Sequence, residues 1–171
     1  PEKPEQPGMF VPIYTENVQF RASTVGFPSG GGGLVSTIDD YARFCQMMLE
    51  KGSLSGHQIL KPETVALMTT NQLPEGLGVN FDGTGTQAPQ EVLHKFGLDW
   101  GIIEDPEAAG SPAGKGTFYW GGAAGTWFWI DPENDLFFIG MIQRFGELPE
   151  EKDMDDMRAF SNTLVYEALA E

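Results

Sequence analysis

Three kinds of apolar run divide the chain. Tyr41, Phe44, Cys45, Met48 and Leu49 stand at i, i+3, i+4, i+7 and i+8, the spacing of one face of a helix. They predict a helix over Ile38–Lys51, with Ser36 or Thr37 as N-cap and Gly52 as the stop. Asp39 and Asp40 sit in its first turn, where the helix dipole favours acids. Pro62 suits the first position of a second helix over 62–70, with Val65 and Met68 inward. A last helix is expected over 150–169, its inner stripe being Met157, Phe160, Leu164 and Ala168. Five acids crowd its first two turns as dipole compensation and a solvated face.

The second kind of run has the period of a strand. Trp127–Asp131 and Leu136–Gln143 flank the turn Pro132–Asp135 and predict an antiparallel hairpin at the centre of a sheet. Both of its faces are apolar. Trp127 and Trp129 alternate with Phe128 and Ile130, while Phe137, Ile139 and Met141 alternate with Leu136, Phe138 and Ile142. A sheet wetted on one side would show a polar residue at every second position. The expected fold is therefore α/β in composition, an α+β sandwich. An antiparallel sheet has the C-terminal helix on one face and the earlier helices on the other. A further strand is expected over 96–104, with Trp100 and Ile102 as packing groups.

The third kind consists of short patches, Met9–Tyr14 and Val18–Phe20, read as strand or irregular covering structure. Residues 1–28 form an extended arm and covering segment, and 29–171 the folded portion. Residues 54–59 read as a turn and connector, and 73–89 and 105–116 as long loops that shape a pocket.

Composition narrows the classes. The net charge of -15 argues against a nucleic-acid partner, because phosphate binding needs clustered Lys and Arg. No apolar run reaches the length of a membrane span. The single cysteine, Cys45, excludes an internal disulfide and falls on a buried helical stripe, where a thiol is inert. No leader is visible, but a chain that begins at Pro1 does not exclude one, and the compartment stays open.

Most candidate chemistry has a plain structural reading. Gly30–Gly33 matches no nucleotide fingerprint and serves as a tight turn feeding the helix. Gly110–Thr117 is one residue short of a phosphate loop, and Lys115 reads as a solvated turn residue. His57 and His94 lack metal-ligand spacing and read as surface or loop histidines. Asn80–Thr84 is only thinly like a calcium loop. Asp131, Glu133 and Asp135 fit the turn chemistry of a hairpin. No metal and no cofactor is expected. Trp120-Gly121-Gly122-Ala123 is the exception. Glycines inside a strand mark a bulge, room for another side chain, or close approach of a ligand to the backbone.

Several segments together resemble a known family. Ser29-Gly30-Gly31-Gly32-Gly33-Leu34-Val35-Ser36-Thr37, then Asp40-Tyr41 and Arg43-Phe44, are similar to the C-terminal half of serine beta-lactamase-like hydrolases. Leu60–Val65, Met68-Thr69, Asn71, Gly97–Gly101 and Trp120–Thr126 continue the resemblance in order. It points to the esterase-type branch related to class C beta-lactamases, with kin among penicillin-binding proteins and acyl transferases. The resemblance implies an incomplete beta-lactamase/transpeptidase-like fold.

In that family a serine in Ser-x-x-Lys attacks and a tyrosine in a second motif assists. Neither Ser-x-x-Lys nor Tyr-x-Asn occurs in these 171 residues. The expectation is a C-terminal portion of a serine hydrolase that is inactive alone, or else a non-catalytic binding or assembly domain. The third motif does map: Trp120-Gly121-Gly122 takes the place of Lys-Thr-Gly, and the backbone N–H of Ala123 becomes one oxyanion donor. Trp in place of a cation favours a neutral small-molecule ester or amide over a carboxylate-bearing substrate. The strand Leu136–Gln143 would pair with the N-terminal half or, without it, with a second copy of the chain or a partner polypeptide.

Overall fold

The computed structural model describes residues 30–31, 34–79, 94–143 and 154–170. The patches Met9–Tyr14 and Val18–Phe20, Gly32 and Gly33 of the glycine run, and the Asn80–Thr84 loop lie outside the described residues. Helix α1 (Ile38–Leu49) starts as its sequence predicts, the Thr37 side chain accepting the Asp40 N–H at 3.2 Å. Cys45, Met47 and Met48 are buried, with Tyr41, Phe44 and Leu49 packed against them. Burial pushes the Cys45 thiol up to about 12, so it stays protonated at neutral pH. Lys51 and Gly52 follow at positive φ, and Gly52 cannot carry a side chain because a Cβ would meet the Leu60 carbonyl oxygen at 2.2 Å.

The connector expected over 54–59 is instead a small hairpin, β1 (Ser53–Leu54) and β2 (His57–Gln58). Ser55 and Gly56, both at positive φ, make its two-residue turn. Helix α2 (Pro62–Met68) then buries Val65.

The expected strand over 96–104 is two strands. β3 (Lys95–Phe96) and β4 (Gly101–Ile103) run antiparallel around a turn at 97–100, with Asp99 at φ 79°. The turn is tied to α2: Met68 O accepts the Leu98 N–H at 2.9 Å and the Trp100 indole N–H at 3.0 Å. The loop after it holds a one-turn helix, α3 (Pro106–Ala109), capped by Asp105.

β5 (Thr117–Gly121), β6 (Trp127–Asp131) and β7 (Leu136–Gly140) complete a five-stranded antiparallel sheet in the order β3-β4-β5-β6-β7. The hairpin of β6 and β7 is present with Ile130 opposite Phe137. Among the described residues it takes one end of the sheet, with β5 on the other flank of β6. Both faces are covered as the alternation requires. One carries α1 and α2 on Trp100, Ile102, Phe118, Phe128 and Ile130. The other carries Tyr119, Trp127 and Trp129 under Tyr166 and Val165 of helix α4 (Met154–Leu169).

Helix α4 is rotated from the expected orientation. Met157, Phe160, Leu164 and Ala168 face outward, and Arg158 and Tyr166 are buried. The sequence stripe is only weakly amphipathic, and two hydrogen-bonding groups decide the rotation. Arg158 reaches backbone carbonyls at one end of β6, and Tyr166 donates to Asp131 at the other. A buried polar group costs about 1–3 kcal/mol when unsatisfied, which outweighs a partly apolar stripe.

Candidate active site

β5 ends at Gly121, opposite Trp127, and the chain turns back through Gly122–Thr126. Gly122 N donates to Thr126 O at 2.7 Å, and Gly125 N donates to Gly122 O at 3.0 Å. Gly125 takes φ 92°, which favours glycine. Gly122 is a glycine for a different reason: a Cβ there would stand 2.5 Å from Thr126 Oγ1. The Trp120 side chain, 37% exposed, lies edge-on to Phe96 at 5.4 Å.

Trp120, Gly121, Gly122, Ala123 and Arg158 line a cleft of about 270 Å³. All four residues of the singled-out segment are thus brought together. Ala123 is exposed, and its N–H donates to no group among the described residues. Among the described residues the lining set holds a backbone donor, an indole and a guanidinium, and no hydroxyl, thiol, imidazole or carboxylate. It can stabilise negative charge on an oxygen; it cannot itself attack a carbonyl.

Arg158 is the residue that the sequence reading missed. It is 7% exposed, and its Nη2 donates to Gly122 O at 3.1 Å and to Thr126 O at 3.4 Å. Its Nε has no acceptor among the described residues. Gly121 gives it room, since a Cβ there would come within 3.1 Å of Cζ. The available signal was a lone cation within α4, whose other charged residues are all acids.

The remaining candidates fall elsewhere. His57 and Lys115 are exposed, in line with their readings. His94 is not a surface histidine: it is buried, bridged to Val79, and its Nδ1 is hydrogen-bonded to the Tyr119 hydroxyl at 2.6 Å. That partner offsets the desolvation of both rings.

Asp131 is fully buried and accepts from the backbone N–H groups of Glu133, Asn134 and Gly114, from Asn134 Nδ2 and from Tyr166 Oη. Burial alone pushes its carboxyl up, but the bonds from Tyr166, Asn134 and Gly114 outweigh it and hold the group below the usual carboxylate range. Asp131 and Asn134 make the turn as expected; the ties to Gly114 and Tyr166 come from residues distant in sequence.

Comparison with known proteins shows the family. The Beta-lactamase family model matches residues 1–162, and the chain belongs to that family. Protein Rv1367c of Mycobacterium tuberculosis is 42% identical over 126 residues, which cover 71% of this chain and 30% of that protein. Esterase EstB of Burkholderia gladioli is 31% identical over 116 residues, covering 65% of this chain and 26% of EstB. The aligned part is thus less than a third of each of these curated relatives. Simvastatin synthase (LovD) of Aspergillus terreus shares the fold at a TM-score of 0.56 and 22% identity, over 75% of this chain and 32% of its own. A beta-lactamase-like fold with an esterase among its relatives is therefore shown.

Proposed function

We propose that this chain carries the oxyanion-donor wall of an esterase-type serine hydrolase that works through an acyl-enzyme intermediate. The observation that carries the reading is the Ala123 N–H, without a partner among the described residues on a glycine turn that lines an open cleft. The attacking serine would come from a Ser-x-x-Lys segment outside these residues. Its hydroxyl adds to the acyl carbonyl carbon, the alcohol leaves with a proton, and water releases the acid. Ala123 N–H would meet the oxygen that gains charge at each addition, a role worth about 3–4 kcal/mol for one donor. Trp120 in place of a lysine, together with kinship to an esterase, favours neutral esters.

Assayed alone on 4-nitrophenyl butyrate, the chain is expected to give no turnover above buffer. Joined in one polypeptide with a Ser-x-x-Lys segment of the family, it is expected to hydrolyse the ester in preference to the beta-lactam nitrocefin. Ala123→Pro deletes the N–H and should lower kcat by about 10²–10³-fold. Unchanged turnover in that variant would overturn the reading.

A second reading is favoured by one observation. β7 is the last strand of the described sheet, and Met157, Phe160 and Leu164 of α4 are exposed. An assembly domain would use such an edge to pair with another strand, from a second copy or from a partner polypeptide. A stable monomer in light scattering at high concentration counts against it.

A further inference from the structure

We propose that Arg158 is a positioning residue: by holding the carbonyl of Gly122, it sets the direction and donor strength of the Ala123 N–H. The inference rests on the reading of Ala123 as the oxyanion donor. The Gly122 C=O and the Ala123 N–H belong to one peptide unit, which is planar and trans, so the two groups point in opposite directions as a rigid pair. Whatever fixes the carbonyl oxygen fixes the N–H.

Two donors converge on that oxygen, Gly125 N at 3.0 Å and Arg158 Nη2 at 3.1 Å. The same Nη2 lies 3.4 Å from Thr126 O, the carbonyl that accepts Gly122 N. One guanidinium nitrogen therefore bridges both carbonyls at the mouth of the turn. A charge-assisted bond to a carbonyl also polarises its peptide unit, making the attached N–H a better donor.

The surroundings are built for this contact. Arg158 is buried, and no carboxylate lies within ion-pair distance among the described residues, so its charge is offset by backbone dipoles. Gly121 leaves the guanidinium its space: an added Cβ would stand 3.1–3.2 Å from Cζ, Nη1 and Nη2. Since Arg158 also lines the cleft, its charge favours the oxygen that turns negative there.

The test compares wild type, Arg158→Gln, Arg158→Lys and Gly121→Ala. In the labelled chain, Arg158→Gln should move the Gly122 carbonyl ¹³C and the Ala123 amide ¹H and ¹⁵N resonances. Arg158→Lys, which keeps a charged donor, should restore part of the shift. In the serine-bearing polypeptide, Arg158→Gln should lower kcat about tenfold with KM unchanged, the loss of one charge-assisted hydrogen bond transmitted in part. Arg158→Lys should recover part of that loss.

Unmoved resonances overturn the proposal, and so do moved resonances with unchanged kcat. Where Arg158→Gln does not fold, Gly121→Ala carries the test. It crowds the guanidinium, and in the serine-bearing polypeptide it must lower kcat in wild type more than it does beside Arg158→Lys; equal losses in the two backgrounds overturn the proposal. Damage by Ala123→Pro alongside silent Arg158 variants sinks only this inference. Full activity in Ala123→Pro sinks the oxyanion reading and this inference with it.

Discussion

Strand β6 has a turn at each end, and the two are opposites. At Asp131–Asp135 a buried carboxylate collects five donors, the Glu133 and Asn134 N–H groups of the turn among them. At Gly122–Thr126 no carboxylate is present, and the Ala123 N–H has no partner among the described residues beside a cleft. Helix α4 anchors both, through Tyr166 at the acidic turn and Arg158 at the glycine turn. One helix thus tightens a turn that holds the fold together and steadies another whose donor is kept free. Stability resides in the first, and the proposed chemistry in the second.

The largest effect should come from crossing the two turns. Asp131→Ala removes the acceptor from five donors, three of them backbone, and should lower unfolding stability by about 3–5 kcal/mol in urea titration. Ala123→Pro should change the unfolding free energy by about 1 kcal/mol or less, while costing the serine-bearing polypeptide most of its kcat. Comparable stability losses in both variants would erase the contrast.

Acid should then reveal the Asp131 turn alone. Its folded carboxyl lies below its unfolded value near 3.9, so below that value the unfolded state binds the extra proton. Its contribution is full above the unfolded value and is lost as pH falls through the folded one. Asp131→Asn should flatten this part of the stability profile below about pH 4, and Arg158→Lys should leave it alone.

Much of this was legible in the chain. Two-faced alternation in Trp127–Ile130 required layers on both sides, and helices occupy both. Trp120–Ala123 stood out because glycines weaken a strand unless something needs the room. The splitting of residues 95–103 into two strands was hidden, since it depends on Met68 O accepting two donors from far along the chain. The rotation of α4 was hidden for the same kind of reason. Apolar spacing favoured Met157, Phe160 and Leu164, but the partners that turn Arg158 and Tyr166 inward sit on β6 and the turn before it. Periodicity reports local amphipathicity and is silent on a carbonyl or carboxylate that waits in another element.

A smaller loss sharpens the Asp131 side. Tyr166→Phe removes one donor and leaves Asp131 the other four, so about 1.5–2 kcal/mol should be lost. Its hydroxyl is held well above the usual range by burial and by Asp131, so it remains a donor through neutral pH. A loss as large as that of Asp131→Ala would mean that the helix anchor, not the turn, is what the carboxylate secures.

The smallest effect tests whether the two anchors really set the helix rotation. Phe160 is 64% exposed on the outward stripe, so Phe160→Ser should alter unfolding stability by no more than about 0.5 kcal/mol. Val165, packed against the cluster under α4, should lose about 1–3 kcal/mol on replacement by serine, because a buried hydroxyl then replaces packed methyl groups. If the order were reversed, Phe160 would be the inward residue, and Arg158 could not reach the Gly122 carbonyl. Should Phe160→Ser leave stability alone yet lower the apparent mass in light scattering, the outward stripe would be shown to face a second polypeptide.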